Sequence, residues 1–420
     1  GMIPINSFAI AGHGPLFEPY ALKSFASILF HISEACCEHL ICINPYRQLT
    51  DVLEHTSSRF LKSYLTDIST ILLTDDSMPK EIKIGNIEAN KGEKKSGFVR
   101  VGETPSGTVD LPLTIINGVG EGPTLCLTAG THPCEYAGIA AVIRICKETK
   151  PESLSGAVLG IPVLNMAGFA SRTPYVNPID NVNVSRAFPG RLDGTMSERI
   201  MHVFVNDMLR RSNFRIDCHG GDYDERLNPN TYFSKLGNKT HDETAEILAR
   251  IYGFRYVIQR PPSAIHTGTA VVPSIVAECG GIKVLLESDI AQHAEGIRNV
   301  MKFFKMMEGK PRIRVKQLLV KEFGYVSAQK GGLFYPMVEI GEEVKKNQKV
   351  GEIWNLWGDV IETLTSPTGG TVRKMFTNHA TNSGDVLIQI METPKPAPPF
   401  GHTDPFIDLE EYDQTSRIPV

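Results

Sequence analysis

Leu125-Cys-Leu-Thr-Ala-Gly-Thr-His-Pro-Cys-Glu135 decides how this chain is read: an apolar run of strand type ends at a Gly-Thr turn and delivers His132 and Glu135. Two further runs end in the same way. Phe214-Arg-Ile-Asp-Cys218 stops at His219, and Ile275-Val-Ala277 stops at Glu278. In an open α/β sheet the carboxyl ends of parallel strands meet at one crevice, where distant segments share a ligand. Two His and one Glu complete a three-ligand catalytic zinc site that leaves a position for water and substrate. His132, Glu135 and His219 fill that set, Glu278 is left over as a base, and the arrangement implies a mononuclear metallohydrolase.

Spacing alone is a weak signal, because the pattern His-x-x-acid also occurs at His31–Glu34 and His219–Asp222. Context separates His132 and Glu135 from these: they follow a buried-type strand and are expected to open a helix, where a spacing of three puts both on one face. The plain alternative for His132 is a helix-terminal histidine satisfied by the backbone. His219 precedes Gly220-Gly221, where the backbone can come close to a ligand. Glu278 could instead be a strand-end carboxylate paired with Lys or Arg, although Gly280-Gly281 behind it argues for a crowded site. Glu287 is a rival base with no glycine turn behind it. Cys134, Cys218 and Cys279 adjoin these candidates, but alternate residues on a strand point away from the site, and Cys is a common small buried residue.

Strand-like runs at Thr124–Ala129, Ala157–Val163, Phe214–Cys218, Tyr256–Gln259 and Ser274–Ala277 alternate with helical ones at Tyr136–Glu148, Met196–Arg211, Thr240–Tyr252 and Asp289–Met307. This alternation predicts an α/β domain with a mixed, mainly parallel sheet flanked by helices on both faces. Before it, residues 1–80 show helical spacing, as in Leu22, Phe25, Leu29 and Ile32, and predict a helical extension. The α/β domain is expected over 81–310, opening with short strands at Glu81–Ile84, Gly97–Val101 and Val109–Ile116. Turns at Lys330-Gly-Gly332, Thr368-Gly-Gly370 and Ser383-Gly384 predict an all-β sandwich or barrel module over 311–393, and prolines mark a tail over 394–420.

Lys and Arg number 43 against 47 Asp and Glu in 420 residues, a net charge of -4. No broad basic surface invites nucleic acid or an anionic membrane, and a small-molecule substrate is favoured. Eight Cys without C-x-x-C pairs fit a reducing cytoplasm. The apolar stretch Ser24–Ile43 is interrupted by His31, Glu34, Glu38 and His39, which excludes a spanning helix or a signal core there. A homo-oligomer is compatible with the sequence, which does not specify one.

The segment Asn165–Gly190 is long and rich in Arg, Asn and Pro, the character of a functional loop. Arg172 and Arg186 could clamp a carboxylate or face an oxyanion through their fixed fork of donors. Ordinary surface ion pairing is the alternative.

Four motifs in order, Gly130-Thr-His132-Pro-Cys-Glu135, Asp180-Asn-Val-Asn183-Val-Ser-Arg186-Ala-Phe-Pro-Gly190, Asp217-Cys-His219-Gly-Gly-Asp222 and Glu278-Cys-Gly-Gly281, resemble the succinylglutamate desuccinylase/aspartoacylase family. The resemblance covers about Glu81 to Ile390 and implies a zinc-carboxypeptidase-like fold. It implies one zinc per chain on His132, Glu135 and His219, Glu278 as general base, and Arg172 and Arg186 as oxyanion and substrate contacts. Asn183 and Ser185 fall in the same substrate loop. The implied reaction is hydrolysis of the amide of an N-acylated amino acid or related amine. A metallocarboxypeptidase acting on peptides and a non-catalytic binding relative are the alternatives.

Two departures stand out: Pro133-Cys134 where the family commonly has Gly and an acidic or amide residue, and Ser185 where it usually has Asn before Arg. The first should spare metal binding; the second leaves substrate identity open. Val338-Glu-Ile-Gly-Glu-Glu-Val344 and Ser366-Pro-Thr-Gly-Gly-Thr-Val372 resemble a biotinyl/lipoyl-type sandwich. The hairpin near Trp357-Gly358-Asp359 lacks the attachment Lys, so a structural or site-covering role without a prosthetic group is expected.

Overall fold

The computed structural model describes residues 81–261, 270–392 and 395–397; the helical extension expected over 1–80 and nearly all of the tail expected over 394–420 lie outside them. The described chain enters as β1 (Glu81–Ile84), β2 (Ile87–Asn90), β3 (Glu93–Thr104) and β4 (Gly107–Asn117). Alternating units follow: β5 (Gly120–Ala129), α1 (Tyr136–Glu148), β6 (Ser155–Ile161), α2 (Met166–Ser171), α3 (Met196–Val203), β7 (Phe214–His219), β8 (Glu225–Leu227) and β9 (Asn230–Ser234). Then come α4 (Lys239–Ile251), β10 (Tyr256–Arg260), β11 (Ser274–Glu278), α5 (Glu287–Phe303) and β12 (Leu318–Val320). Short strands complete the chain: β13 (Phe323–Ser327), β14 (Gly332–Pro336), β15 (Glu343–Val344), β16 (Lys349–Trp354), β17 (Val360–Thr365), β18 (Gly370–Phe376), β19 (Ala380–Thr381), β20 (Val386–Glu392) and β21 (Lys395–Pro396).

Ten strands form one sheet in the order β21-β12-β10-β9-β11-β7-β5-β6-β4-β3. At its centre β6, β5, β7 and β11 run parallel, as their buried apolar character requires. β9 pairs antiparallel with β11 and parallel with β10, and β4 pairs antiparallel with β6, so the sheet is mixed and mainly parallel. β9, Asn230-Thr-Tyr-Phe-Ser234, was not anticipated from the sequence. No helix among the described residues is long and apolar enough to cross a membrane.

Side-chain alternation divides each central strand between two cores. Leu125, Leu127, Ala129, Phe214, Ile216, Cys218, Ile275 and Ala277 pack with α1, α4 and α5 on one face. Cys126, Leu159 and Ile161 pack with α3 and β1 to β4 on the other. Burying one Leu, Ile or Val contributes about 1.5–3 kcal/mol, so the strand ends project from a rigid base. α3 opens with a capping box of Thr195 and Glu198, and Asn238 caps α4 through the His241 N–H.

The C-terminal strands form two antiparallel sheets, β13-β20-β18-β15 and β17-β16-β14-β19, around a core that includes Val326, Phe334, Val350, Ile353, Val372 and Ile390. They do not hang free. β8, which follows the end of β7 in the α/β part, pairs antiparallel with β18. The two parts pack as one compact unit.

Candidate active site

The end of β5 places the first two candidates. Glu135 donates its backbone N–H to the His132 carbonyl at 3.3 Å, and α1 begins only at Tyr136. The expectation that His132 and Glu135 share a helical face is therefore corrected: they share the tight turn before the helix. Glu135 keeps non-helical angles (φ -87°, ψ 69°) and sits at the N-cap position, so the helix starts one residue later. The turn still brings the side chains together, His132 Nδ1 lying 2.8 Å from Glu135 Oε1.

β7 supplies the third. Along it Arg215, Asp217 and His219 fall on one face, opposite Phe214, Ile216 and Cys218. His219 Nδ1 lies 2.8 Å from Glu135 Oε2, and the Gly220 N–H donates to the same oxygen at 3.1 Å. One donor atom from each of His132, Glu135 and His219 lies within 4.8 Å of the others. Two imidazole nitrogens and a carboxylate oxygen gathered this tightly fit a divalent transition metal.

Behind this trio stands a layer that the sequence reading did not assign. His219 Nε2 donates to Asp217 Oδ2 at 3.1 Å, which leaves Nδ1 as the nitrogen facing Glu135. Asp217 also accepts from Thr128 Oγ1 at 2.6 Å and pairs with Arg215 at 2.7 Å. A carboxylate on the outer nitrogen of a ligating histidine fixes its tautomer and ring orientation. The signal was present in the sequence as the alternation Arg215-x-Asp217-x-His219. On the other side His293, from α5, donates from Nε2 to the His219 carbonyl at 3.0 Å and contacts the Cys279 carbonyl at 3.3 Å, while Tyr252 contacts its Nδ1. It ties together the chain at the ends of β7 and β11.

The electrostatics follow from these contacts. Burial pushes the Glu135 carboxyl up, but His219 and His132 outweigh it and bring it down to about 2. Asp217 is likewise raised by burial and held below the usual carboxylate range by Arg215 and His219. Burial disfavours a charged His219, yet Glu135 and Asp217 hold its pKa well above the ordinary value. Asp222, 4.0 Å from His132 Nδ1, goes the other way: burial and then Glu135 push it up to about 7.

Glu278 lies beside His219, because β7 and β11 pair in parallel with these two residues in register. Registered partners share a face, so both side chains rise at the same end of the sheet. Gly221 and Gly281 are needed just beyond, since a Cβ on either would come within 2.3 Å of the Glu225 carbonyl oxygen. Glu278 Oε2 accepts from Arg373 Nη2 at 2.6 Å. Burial raises the Glu278 carboxyl, and Arg373 with Lys374 lowers it further than that. The competing reading of Glu278 as a paired carboxylate is thus correct about the partner, which comes from β18. The rival Glu287 is exposed and paired with Arg144 at 2.6 Å.

In the loop between β6 and α3 the sequence candidates separate. Asn183 is buried; its Nδ2 lies 3.4 Å from His132 Nε2, and its Oδ1 accepts from the Ser185 N–H and Oγ at 2.9 and 2.8 Å. Ser185 is therefore engaged in orienting Asn183. Arg172, left-handed at the end of α2 (φ 58°), and Arg186 are both exposed, and neither guanidinium makes a hydrogen bond or ion pair among the described residues. Tyr175, unassigned in the sequence, stacks on His132 with ring centres 4.4 Å apart and feels the charge of Arg186. The thiols are poor nucleophiles: burial pushes Cys218 up to about 12 and raises Cys134 and Cys279 as well.

Residues 121–304 match the sequence model of the Succinylglutamate desuccinylase/Aspartoacylase catalytic domain. The chain is 27% identical over 305 residues to an N-alpha-acetyl-L-2,4-diaminobutyric acid deacetylase from Halomonas elongata, covering 69% of this chain and 88% of that relative. A succinylglutamate desuccinylase/aspartoacylase structure from Rhodobacter sphaeroides superposes with a TM-score of 0.67 at 25% identity, over 74% of this chain and 99% of that one. A product-bound ectoine utilization protein from Ruegeria pomeroyi shares the fold with a TM-score of 0.69 at 22% identity, over 76% of this chain and 100% of the other. The α/β fold is accordingly that of the zinc-carboxypeptidase-like desuccinylases.

Proposed function

We propose that this chain is a zinc-dependent hydrolase that cleaves the amide bond of an N-acylated amino acid or related amine. One observation carries the reading: His132, Glu135 and His219 converge at the strand ends, with Glu278 in register beside His219. The names of its relatives, a deacetylase of an acetylated diamino acid among them, support the substrate class.

Zinc bound by His132, Glu135 and His219 would polarise the acyl carbonyl and acidify water. Glu278 takes a proton from the water that attacks the acyl carbon. When the carbon–nitrogen bond breaks, that proton passes from Glu278 to the leaving nitrogen, giving a carboxylate and an amine. Arg172 is the candidate for the developing oxyanion and Arg186 for a substrate carboxylate. Both guanidiniums are exposed and uncommitted to partners among the described residues. Asn183, held by Ser185, sets His132 from the loop side. In this reading residues 81–310 carry the chemistry, and the biotinyl/lipoyl-like module over 311–393 covers the site. The buried free thiols Cys126, Cys134, Cys146, Cys218 and Cys279 support a reducing, cytoplasmic setting.

The test is a zinc assay coupled to a panel of acetyl, succinyl and formyl derivatives of acidic, basic and diamino acids. Hydrolysis of at least one, lost on chelation and restored by zinc, is the expected result. Turnover of none by zinc-loaded protein would contradict the proposal.

A further inference from the structure

We propose that Arg373, delivered by β18 of the C-terminal β part, is the positioning residue of the base Glu278, so that the β part belongs to the catalytic machinery. The inference rests on Glu278 acting as the base. The Arg373 side chain is only 2% exposed, whereas that of Glu278 is 18% exposed. The guanidinium therefore stands behind the carboxylate, on the side away from solvent. It holds one oxygen, Oε2, at 2.6 Å, and the other, Oε1, accepts no hydrogen bond from the described residues. A carboxylate anchored through one oxygen has lost its rotation and keeps the second oxygen for a proton.

The guanidinium is itself fixed from several directions. Nη2 also donates to the Tyr232 hydroxyl and, at 3.3 Å, to Asn230 Oδ1, while Nη1 donates to Gln389 Oε1. Tyr232 and Asn230 lie on β9, the antiparallel neighbour of β11, with Asn230 in register with Glu278. Arg260 covers the Tyr232 ring at 4.2 Å. Both terminal nitrogens are spent inside the protein and Nε, which has no partner among the described residues, is buried, so Arg373 does not reach a substrate, which marks it as a positioning group.

The way the chain aims it supports a site-directed role. The pairing of β18 with β20 shifts register between Val372 and Lys374, so Arg373 is the extra residue of a β-bulge. Bulges are enriched beside active sites, where they re-aim a side chain. The same stretch is sewn to the α/β part: Asn228 donates its N–H to the Arg373 carbonyl at 2.9 Å and its Nδ2 to the Val372 carbonyl at 3.1 Å, and Lys374 pairs with Glu225. A structural tie alone would not need the ion pair, since well-packed apolar residues often replace a buried pair without loss of stability.

The experiment compares wild type with Arg373→Met and Arg373→Lys for zinc content, melting temperature, kcat and KM on the substrate identified by the acyl panel. The expected result for Arg373→Met is unchanged zinc and KM with kcat lower by about 100-fold, the scale of a small misplacement of a reacting group. Arg373→Lys, which keeps a charge but not the fork, should lose less, and it guards against a folding defect in the Met variant. Wild-type kcat in either folded, zinc-loaded variant would overturn the inference. Glu278→Gln in the same assay separates the two readings. If it keeps turnover, the base assignment falls and the inference with it; if it is inactive while Arg373→Met keeps the wild-type kcat, only the role of Arg373 falls.

Discussion

The strand ends at β7 and β11 and the loop between β6 and α3 border the same site but are built to different standards. His219 and Glu278 rise in register from neighbouring parallel strands, braced by Asp217, Arg215, Thr128, His293 and Arg373. Of the substrate candidates in the loop only Asn183 is buried, while Arg172 and Arg186 are exposed. The difference teaches where each property resides. Under the proposed function, the reacting groups sit on the rigid sheet, where a small displacement would be costly, and substrate choice falls to side chains that can adapt.

That contrast can be broken most forcefully at the metal. His219→Ala should abolish zinc binding and turnover together, a loss beyond the about 10–100-fold typical of outer partners, read by metal analysis and initial rates. Glu278→Gln should keep zinc and lose about 10²–10⁴-fold in kcat, measured on the zinc-loaded protein. A retained rate would move proton transfer elsewhere. Asp217→Asn tests the layer behind the trio: zinc affinity should fall by about 10–100-fold in competition with a chelator. On the loop the effects should shrink and change character. Arg186→Ala should raise KM by about 10-fold with kcat nearly unchanged, the signature of a group that binds ground state and transition state alike. Ser185→Ala should cost least, on the order of 1 kcal/mol in kcat/KM, because Asn183 keeps the backbone half of its anchor.

The same division governs what the sequence revealed. The central strands were legible because their apolar runs are uninterrupted and each stops at a polar, chemically competent residue. His132, Glu135, His219 and Glu278 stand out from that pattern as candidates without any knowledge of contacts. β9 escaped because Asn230-Thr-Tyr-Phe-Ser234 is five residues long with polar ends, and its burial depends on strands far away in sequence. The helical placing of Glu135 failed for a local reason: its backbone keeps the non-helical angles of an N-cap residue, and the helix starts one residue later. Arg373 was out of reach altogether. Its role depends on a bulge in β18 and on the pairing of β8 with β18, which joins positions about 150 residues apart, and no local period records either. Asp217 stands between these cases: its alternation with Arg215 and His219 was on view, but its meaning required knowing that His219 turns Nδ1 to Glu135.

The central claim is that the turn after β5 and the end of β7 together hold the metal. Anomalous diffraction at the zinc edge from crystals of the zinc-loaded protein tests it most directly. The expected peak lies about 2.1 Å from His132 Nδ1, His219 Nδ1 and a Glu135 oxygen. A peak elsewhere, with His132 and His219 still hydrogen-bonded directly to Glu135, would contradict it.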